Sequence, residues 1–224
     1  PTGAVYSDAQ LRALAEVLER HPQVWVLSDD MYEHIRYTPG PFATMAAVAP
    51  ALHERTLTVN GASKAFAMTG WRIGFAGGPR ALIAAMGKAQ SQSTSNPCAI
   101  AQAATLGALS GDLSFLAERC AVFRERRDRL VARIAAIPGL ELAPPEGAFY
   151  AYIGCAGLIG RRTAAGGVLG SDEEVAEWLL DAGVAVVHGA AFGASPAFRV
   201  SYATSDAALA AACDRIAAAV ATLG

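Results

Sequence analysis

Asn60-Gly61-Ala62-Ser63-Lys64-Ala65-Phe66-Ala67-Met68-Thr69-Gly70-Trp71-Arg72-Ile73-Gly74 is a polar, glycine-bearing turn between two short apolar runs, Thr56 to Val59 before it and Ile73 to Ala76 at its end. Four to eight apolar residues bounded by polar ones predict a buried strand. A third run of this kind, Val24 to Leu27, stops at Ser28-Asp29-Asp30. In front of it, Ser7 and Gln10 form a capping box ahead of Leu11, Leu14 and Leu18, which predicts a helix ending near His21-Pro22. Helices alternating with buried strands read as α/β with a parallel sheet. Three strands make a poor sheet, and the sequence opens on Pro1-Thr2-Gly3. The sheet is therefore expected to have partners outside this sequence.

Toward the C-terminus, Pro79 opens a helix through Ala89, Asn96-Pro97 opens another through Leu109, and Leu113 to Ile137 forms a long amphipathic helix stopped by Pro138-Gly139. The texture then changes. Phe149 to Ile153 is a strand and Gly154 to Gly170 a Gly-rich loop, and Ser171 with Glu174 caps a helix to Ala182. Strands Val184 to Val187 and Phe198 to Tyr202 and a last helix from Asp206 to Leu223 complete an α+β half. Two domains are expected, residues 1–125 and 126–224.

A chain of 224 residues that is 53% hydrophobic, with net charge −2, is not disordered. Acidic and basic residues are mixed even in the Arg124 to Arg133 cluster, which reads as a solvated helix face and leaves no nucleic-acid footprint. Cys98, Cys120, Cys155 and Cys213 are far apart, with no Cys-x-x-Cys and no His at ligand spacing, so neither a metal site nor a disulfide framework is expected and a reducing cytoplasm fits. No stretch approaches the about 18 to 20 uncharged residues of a membrane span.

In an open α/β sheet, ligands bind beyond the carboxyl ends of the strands. The polar residues there are Asp29 and Tyr32 after the first run, Lys64 after the second, and Arg72 between the second and third. Only Lys64 and Lys88 are lysines among the eighteen basic residues, so a lysine inside Ala-Ser-Lys-Ala-Phe needs a reason. A carboxylate, a phenol, an amine and a guanidinium at one sheet edge are the set that pyridoxal phosphate requires: an imine-forming lysine, an acid for the pyridine nitrogen and an anchor for the phosphate.

With Ser-Asp-Asp-Met-Tyr at 28 to 32, the 60 to 74 segment, Gly-Ala-Phe-Tyr at 147 to 150 and Phe-Arg-Val-Ser-Tyr-Ala at 198 to 203, the sequence resembles the class I fold-type I aminotransferases, most closely the bacterial aspartate aminotransferases. The resemblance spans essentially the whole chain. Its most specific part is Ser-Lys followed by Thr-Gly-Trp-Arg-Ile-Gly, with Arg72 eight residues after Lys64. It implies the pyridoxal-phosphate transferase fold of type I: residues 1–125 as the C-terminal half of a large domain built on a mixed, mostly parallel sheet, residues 126–224 as a small α+β domain, and an N-terminal part that is missing. Such a chain should expose apolar sheet surface.

The resemblance carries roles with it. Lys64 forms the imine and then shuttles the α-proton, Asp29 pairs with the pyridine nitrogen, with Asp30 as its rival, and Tyr32 donates to the cofactor's 3-oxygen. Arg72 holds the phosphate. Relatives that place a serine three residues before the lysine have Gly61 as their counterpart here, and Ser63 stands beside the lysine instead. Arg199 takes the substrate α-carboxylate, and Phe149 either lines the pocket or is an ordinary core aromatic. His34 and His188 are read as structural. A homodimer with shared active sites is implied, Ser91 to Asn96 approaching the partner's site. The implied reaction is ping-pong transfer of an amino group from an amino acid, aspartate or glutamate, to a 2-oxo acid. A lyase or cyclopropane-carboxylate synthase of the same fold, or the sensor domain of a transcription regulator, are the alternatives.

Overall fold

Ser7 starts the first helix: its hydroxyl accepts from the Gln10 N–H at 3.2 Å, while the Gln10 side chain accepts from the Ser7 N–H at 2.9 Å. This is the expected capping box, and α1 runs Asp8–Glu19. Its far end is held by Arg55, which donates to the carbonyls of Leu18 at 2.7 Å, His21 at 2.9 Å and Val24 at 2.7 Å. A cation there satisfies carbonyls that a helix leaves unpaired and opposes the negative end of its dipole. The computed structural model describes all residues from Pro1 to Gly224.

By internal contacts the chain forms two units, Val5–Glu118, and Pro1–Ala4 together with Arg119–Gly224. In the first, β1 (Val26–Asp29), the short helix α2 (Met45–Val48), a 3-10 turn (Pro50–Arg55), β2 (Thr56–Asn60) and β3 (Phe75–Gly77) follow α1. Leu11, Ala15, Met45, Val48, Ala49 and Leu52 pack as one apolar cluster of α1, α2 and the turn, with Leu52 fully buried. The region between β1 and β2, to which the sequence assigns no element, thus supplies four of these six residues.

The sheet has the order β1-β2-β3, with β1 parallel to β2 and β3 antiparallel to it. The parallel expectation is corrected at β3, and the sheet is small and mixed. The reason lies in the path of residues 61–74. A Cβ on Gly61 would sit 3.2 Å from both the Ile73 carbonyl oxygen and the Gly74 Cα, so the segment folds back on its own start and delivers β3 head-on to the end of β2. Burial is corrected too: in the expected buried strand β1, Leu27 is 66% exposed. Trp25 and Phe75 are exposed as well, giving the apolar sheet surface that the resemblance implied.

Three helices follow, α3 (Arg80–Ser91), α4 (Ala99–Ser110) and α5 (Phe115–Ala135), and the division between the units falls inside α5. The second unit contains β4 (Tyr150–Gly154), α6 (Asp172–Asp181), β5 (Val187–His188), β6 (Ala197–Ser201) and α7 (Asp206–Ala221). Its sheet is antiparallel with β6 in the centre. Ser171 caps α6 as expected, accepting from the Glu174 N–H at 3.2 Å. The strand expected from Val184 begins only at Val187, because the Val184 N–H closes the end of α6 by donating to the Leu179 carbonyl at 2.8 Å behind the left-handed Gly183. Pro1–Ala4 join this unit through the Gly3 carbonyl, which accepts from the Glu146 N–H at 2.8 Å and the Gly147 N–H at 2.9 Å.

No helix is long and apolar enough to cross a membrane. Cys98, Cys155 and Cys213 are free thiols, and no group of three or more His, Cys, Asp or Glu is placed to hold a metal.

Candidate functional site

The sheet of the first unit explains why its polar residues meet. Asp29 closes β1 opposite Val59, one residue before the end of the parallel β2, so both strands present their carboxyl ends on the same edge. Phe75, the first residue of β3, lies opposite Asn60. Because β3 runs backwards, Arg72 reaches that edge from the strand's beginning, while Asp29 and Lys64 reach it from strand ends.

Lys64 is half-buried, and its Nζ lies 5.8 Å from the centre of the half-buried Tyr32 ring. Tyr32 sits in a turn fixed by the Glu33 N–H donating to the Asp30 carbonyl at 3.0 Å and the Ile35 N–H to the Tyr32 carbonyl at 2.9 Å. The two neighbouring carboxylates are treated differently. Asp30 is buried and accepts from the Ser28 hydroxyl at 2.8 Å. Asp29 is exposed, accepting from the Met31 N–H at 3.2 Å, so it is the one that presents a carboxylate at the strand end.

Sequence reasoning passed over Glu33 and Asn60. Glu33 Oε1 accepts from Asn60 Nδ2 at 2.8 Å and lies 3.2 Å from His34 Nε2, and Asn60 Oδ1 accepts from the Gly61 N–H at 2.7 Å. The Tyr32 turn is thereby tied to the start of the Lys64 segment. Asn60 next to Gly61 was the only local signal of it. At Gly61 itself a Cβ would come within 3.0 Å of the Met31 side chain, so the close approach of the two turns leaves no room for a serine there without displacement. Ser63 is half-buried beside Lys64.

Arg72 is exposed, takes the left-handed conformation at φ 51° and donates through Nη1 to the Thr69 carbonyl at 2.9 Å. Ala67, at φ 54°, is left-handed too. Such positions cost about 1 kcal/mol or more each in a non-glycine residue, and they cluster at functional sites. Both follow the lysine on the return path to β3.

In the second unit, Arg199 lies on β6 with its Cζ 4.3 Å from the centre of the Tyr150 ring and 4.6 Å from that of Phe192. The guanidinium lies against two aromatic rings, contacts that restrict its orientation. Phe149 is half-buried among aromatics, its ring 5.5 Å from Phe123 and 4.9 Å from Tyr150, next to the left-handed Ala148. His188 is half-buried, with Nδ1 buried and lacking a partner. The structure thus brings Asp29, Tyr32, Lys64 and Arg72 to one sheet edge of the first unit and places Arg199 and Phe149 in the second.

Comparison with known proteins identifies the family. The family model described as aminotransferase class I and II matches residues 1–216. The aspartate aminotransferase of Rhizobium meliloti is 57% identical over 220 residues, covering 98% of this chain and 54% of that protein. The aspartate/prephenate aminotransferase of Cereibacter sphaeroides is 56% identical over 217 residues, covering 96% of this chain and 54% of its own length. Among solved structures, the Rhizobium meliloti aspartate aminotransferase superposes with a TM-score of 0.97 at 56% identity over 100% of this chain and 56% of that one. The Thermus thermophilus aspartate aminotransferase with maleate gives 0.86 at 43% identity, over 98% of this chain and 54% of the other. The chain spans about half the length of the curated relatives it matches. It belongs to the class I and II aminotransferase family.

Proposed function

We propose that this chain supplies the cofactor-anchoring and substrate-carboxylate residues of a pyridoxal-phosphate-dependent aminotransferase that moves the amino group of aspartate or glutamate to a 2-oxo acid. The observation that carries the reading is the pairing of Lys64 with Tyr32 at the carboxyl ends of adjacent strands, with Asp29 on the same edge. The names of the relatives, aspartate and aspartate/prephenate aminotransferase, support the substrate class.

The residues fit the cofactor by their chemistry: an amine for its aldehyde, a carboxylate for its ring nitrogen, a phenol for its 3-oxygen and a guanidinium for its phosphate. When bound, pyridoxal phosphate supplies a ring that accepts the electrons of a bond at the substrate α-carbon. Lys64 Nζ would hold the cofactor through its aldehyde and, with a substrate amine in place, would move the proton to and from the α-carbon. The Asp29 carboxylate keeps a proton on the pyridine nitrogen, and the Tyr32 hydroxyl donates to the 3-oxygen. Arg72 and Ser63 take the phosphate, with Gly61 contributing no side chain. Arg199 forks onto the substrate α-carboxylate, and Phe149 walls the pocket.

The same reading takes residues 1–125 as part of the cofactor-binding domain and 126–224 as the small domain, whereas the contact units divide at Glu118 and join Pro1–Ala4 to the second. A homodimer with Ser91 to Asn96 near the partner's site belongs to the same reading. A reducing cytoplasm as the compartment belongs to the same reading.

The test is to load the product of the complete gene with pyridoxal phosphate, reduce with borohydride and map the modified peptide by mass spectrometry. Label on Lys64 is expected, and a stable protein with no label there overturns the assignment. Products from aspartate with 2-oxoglutarate then separate transfer, which yields glutamate and oxaloacetate, from elimination, which releases ammonia.

A further inference from the structure

Asp172 opens α6 and is only 3% exposed. A buried carboxylate is expensive unless its charge is met by hydrogen bonds. Here those bonds all come from one segment. The Ala197 N–H donates to Oδ2 at 3.1 Å, the Ser195 hydroxyl and the Ala190 N–H also donate to the carboxylate, and His188 lies near enough to favour its charge. Burial works against ionisation and is the largest single influence, yet together these partners hold the carboxyl below its ordinary pKa.

The same segment is gripped from the sheet. The Tyr152 hydroxyl donates to the Ala194 carbonyl at 2.5 Å and lies 3.3 Å from that of Gly189. A Cβ on Gly189 would fall 2.4 Å from the Ala194 oxygen, so residues 189–197 are folded tightly on themselves. Within this segment stands Phe192, its ring 4.6 Å from the Arg199 Cζ and 6.2 Å from the Tyr152 ring. Tyr152 is itself the cross-strand partner of Arg199.

We propose that Asp172 is a positioning residue for Arg199: its buried carboxylate pins the 189–197 segment, and the segment holds Phe192 against the guanidinium, which also meets the Tyr150 ring. A planar cation held against two rings has less rotational freedom to lose when a ligand arrives, so a carboxylate that binds it meets less of that cost. The inference rests on the reading of Arg199 as the carboxylate anchor.

The experiment uses the complete gene product loaded with pyridoxal phosphate, with maleate as an unreactive dicarboxylate probe whose binding is read from the cofactor absorbance. Asp172→Asn keeps the side-chain volume but accepts on one side only, which leaves one of the segment's donors unpaired. Its maleate Kd is expected to rise about tenfold, while cofactor loading and the ligand-free spectrum stay as in the wild type, a separation that general loosening of the fold does not produce. A Kd unchanged from the wild type overturns the proposal, as does a parallel loss of cofactor. Should Asp172→Asn fail to fold, Ser195→Ala removes one of the same bonds from the segment and is expected to raise the Kd about threefold, an unchanged value again overturning the proposal. Arg199→Ala separates the two readings. If it leaves the maleate Kd unchanged, the Arg199 assignment fails; if it abolishes binding while Asp172→Asn does not weaken it, only the Asp172 inference fails.

Discussion

Asn60 donates through Nδ2 to Glu33 Oε1 at 2.8 Å and with its Oδ1 accepts from the Gly61 N–H at 2.7 Å, so a single side chain links the Tyr32 turn to the segment that carries Lys64. Asn60→Ala leaves a half-buried amide N–H and one Glu33 oxygen without these bonds. A loss of about 1–2 kcal/mol of stability is expected in urea denaturation, with a lower yield of borohydride-trapped cofactor. An unchanged midpoint and yield would show that the link is dispensable.

Gly189 and Gly193 lie in the same segment and should lose stability for different reasons and by different amounts. A Cβ at Gly189 meets the Ala194 oxygen at 2.4 Å, the Tyr152 hydroxyl at 2.8 Å and the Ala197 oxygen at 2.9 Å, whereas at Gly193, with φ +70°, nothing lies within 4 Å. Gly189→Ala is expected to cost about 3 kcal/mol through overpacking, and Gly193→Ala about 1 kcal/mol from backbone strain alone. Thermal unfolding of both variants checks the order, and equal losses would contradict it.

The thiols differ in reactivity. Burial first, and the Asp172 charge second, push the Cys155 thiol up to about 11, while burial raises Cys213 as well. Cys98 is exposed, and the backbone N–H groups of Ala101 and Ile100 hold its thiol below the ordinary value. At pH 8 about one Cys155 in a thousand is thiolate. Iodoacetamide followed by peptide mapping should modify Cys98 first and Cys155 only after denaturation, and early Cys155 labelling would refute its burial.

Acid should act through Asp172. Its carboxyl is held below the usual range in the fold, so its contribution to stability is complete above the unfolded pKa and disappears as pH falls through the lower folded value. Wild type should therefore exceed Asp172→Asn in stability at pH 6, with the gap closing from about pH 4 downward. A gap that is constant between pH 6 and pH 2.5 would mean that the charge contributes nothing.

Caps, stops and residue chemistry were determined by the sequence alone, because each depends on neighbours a few positions away. Ser7 with Gln10 and Ser171 with Glu174 start helices as read, and the residues from Asp29 to Arg72 stand at one sheet edge because strand ends follow from short apolar runs. Only the tertiary structure decided the direction of β3 and the exposure of Leu27, since pairing direction depends on the return path past Gly61 and burial depends on what packs opposite. It likewise decided which of Asp29 and Asp30 presents its carboxylate, and it joined Glu33 to Asn60 and Asp172 to the segment that carries Phe192. Those contacts join residues far apart in the chain, and no local periodicity encodes a hydrogen bond or ring contact between elements that the fold alone brings together.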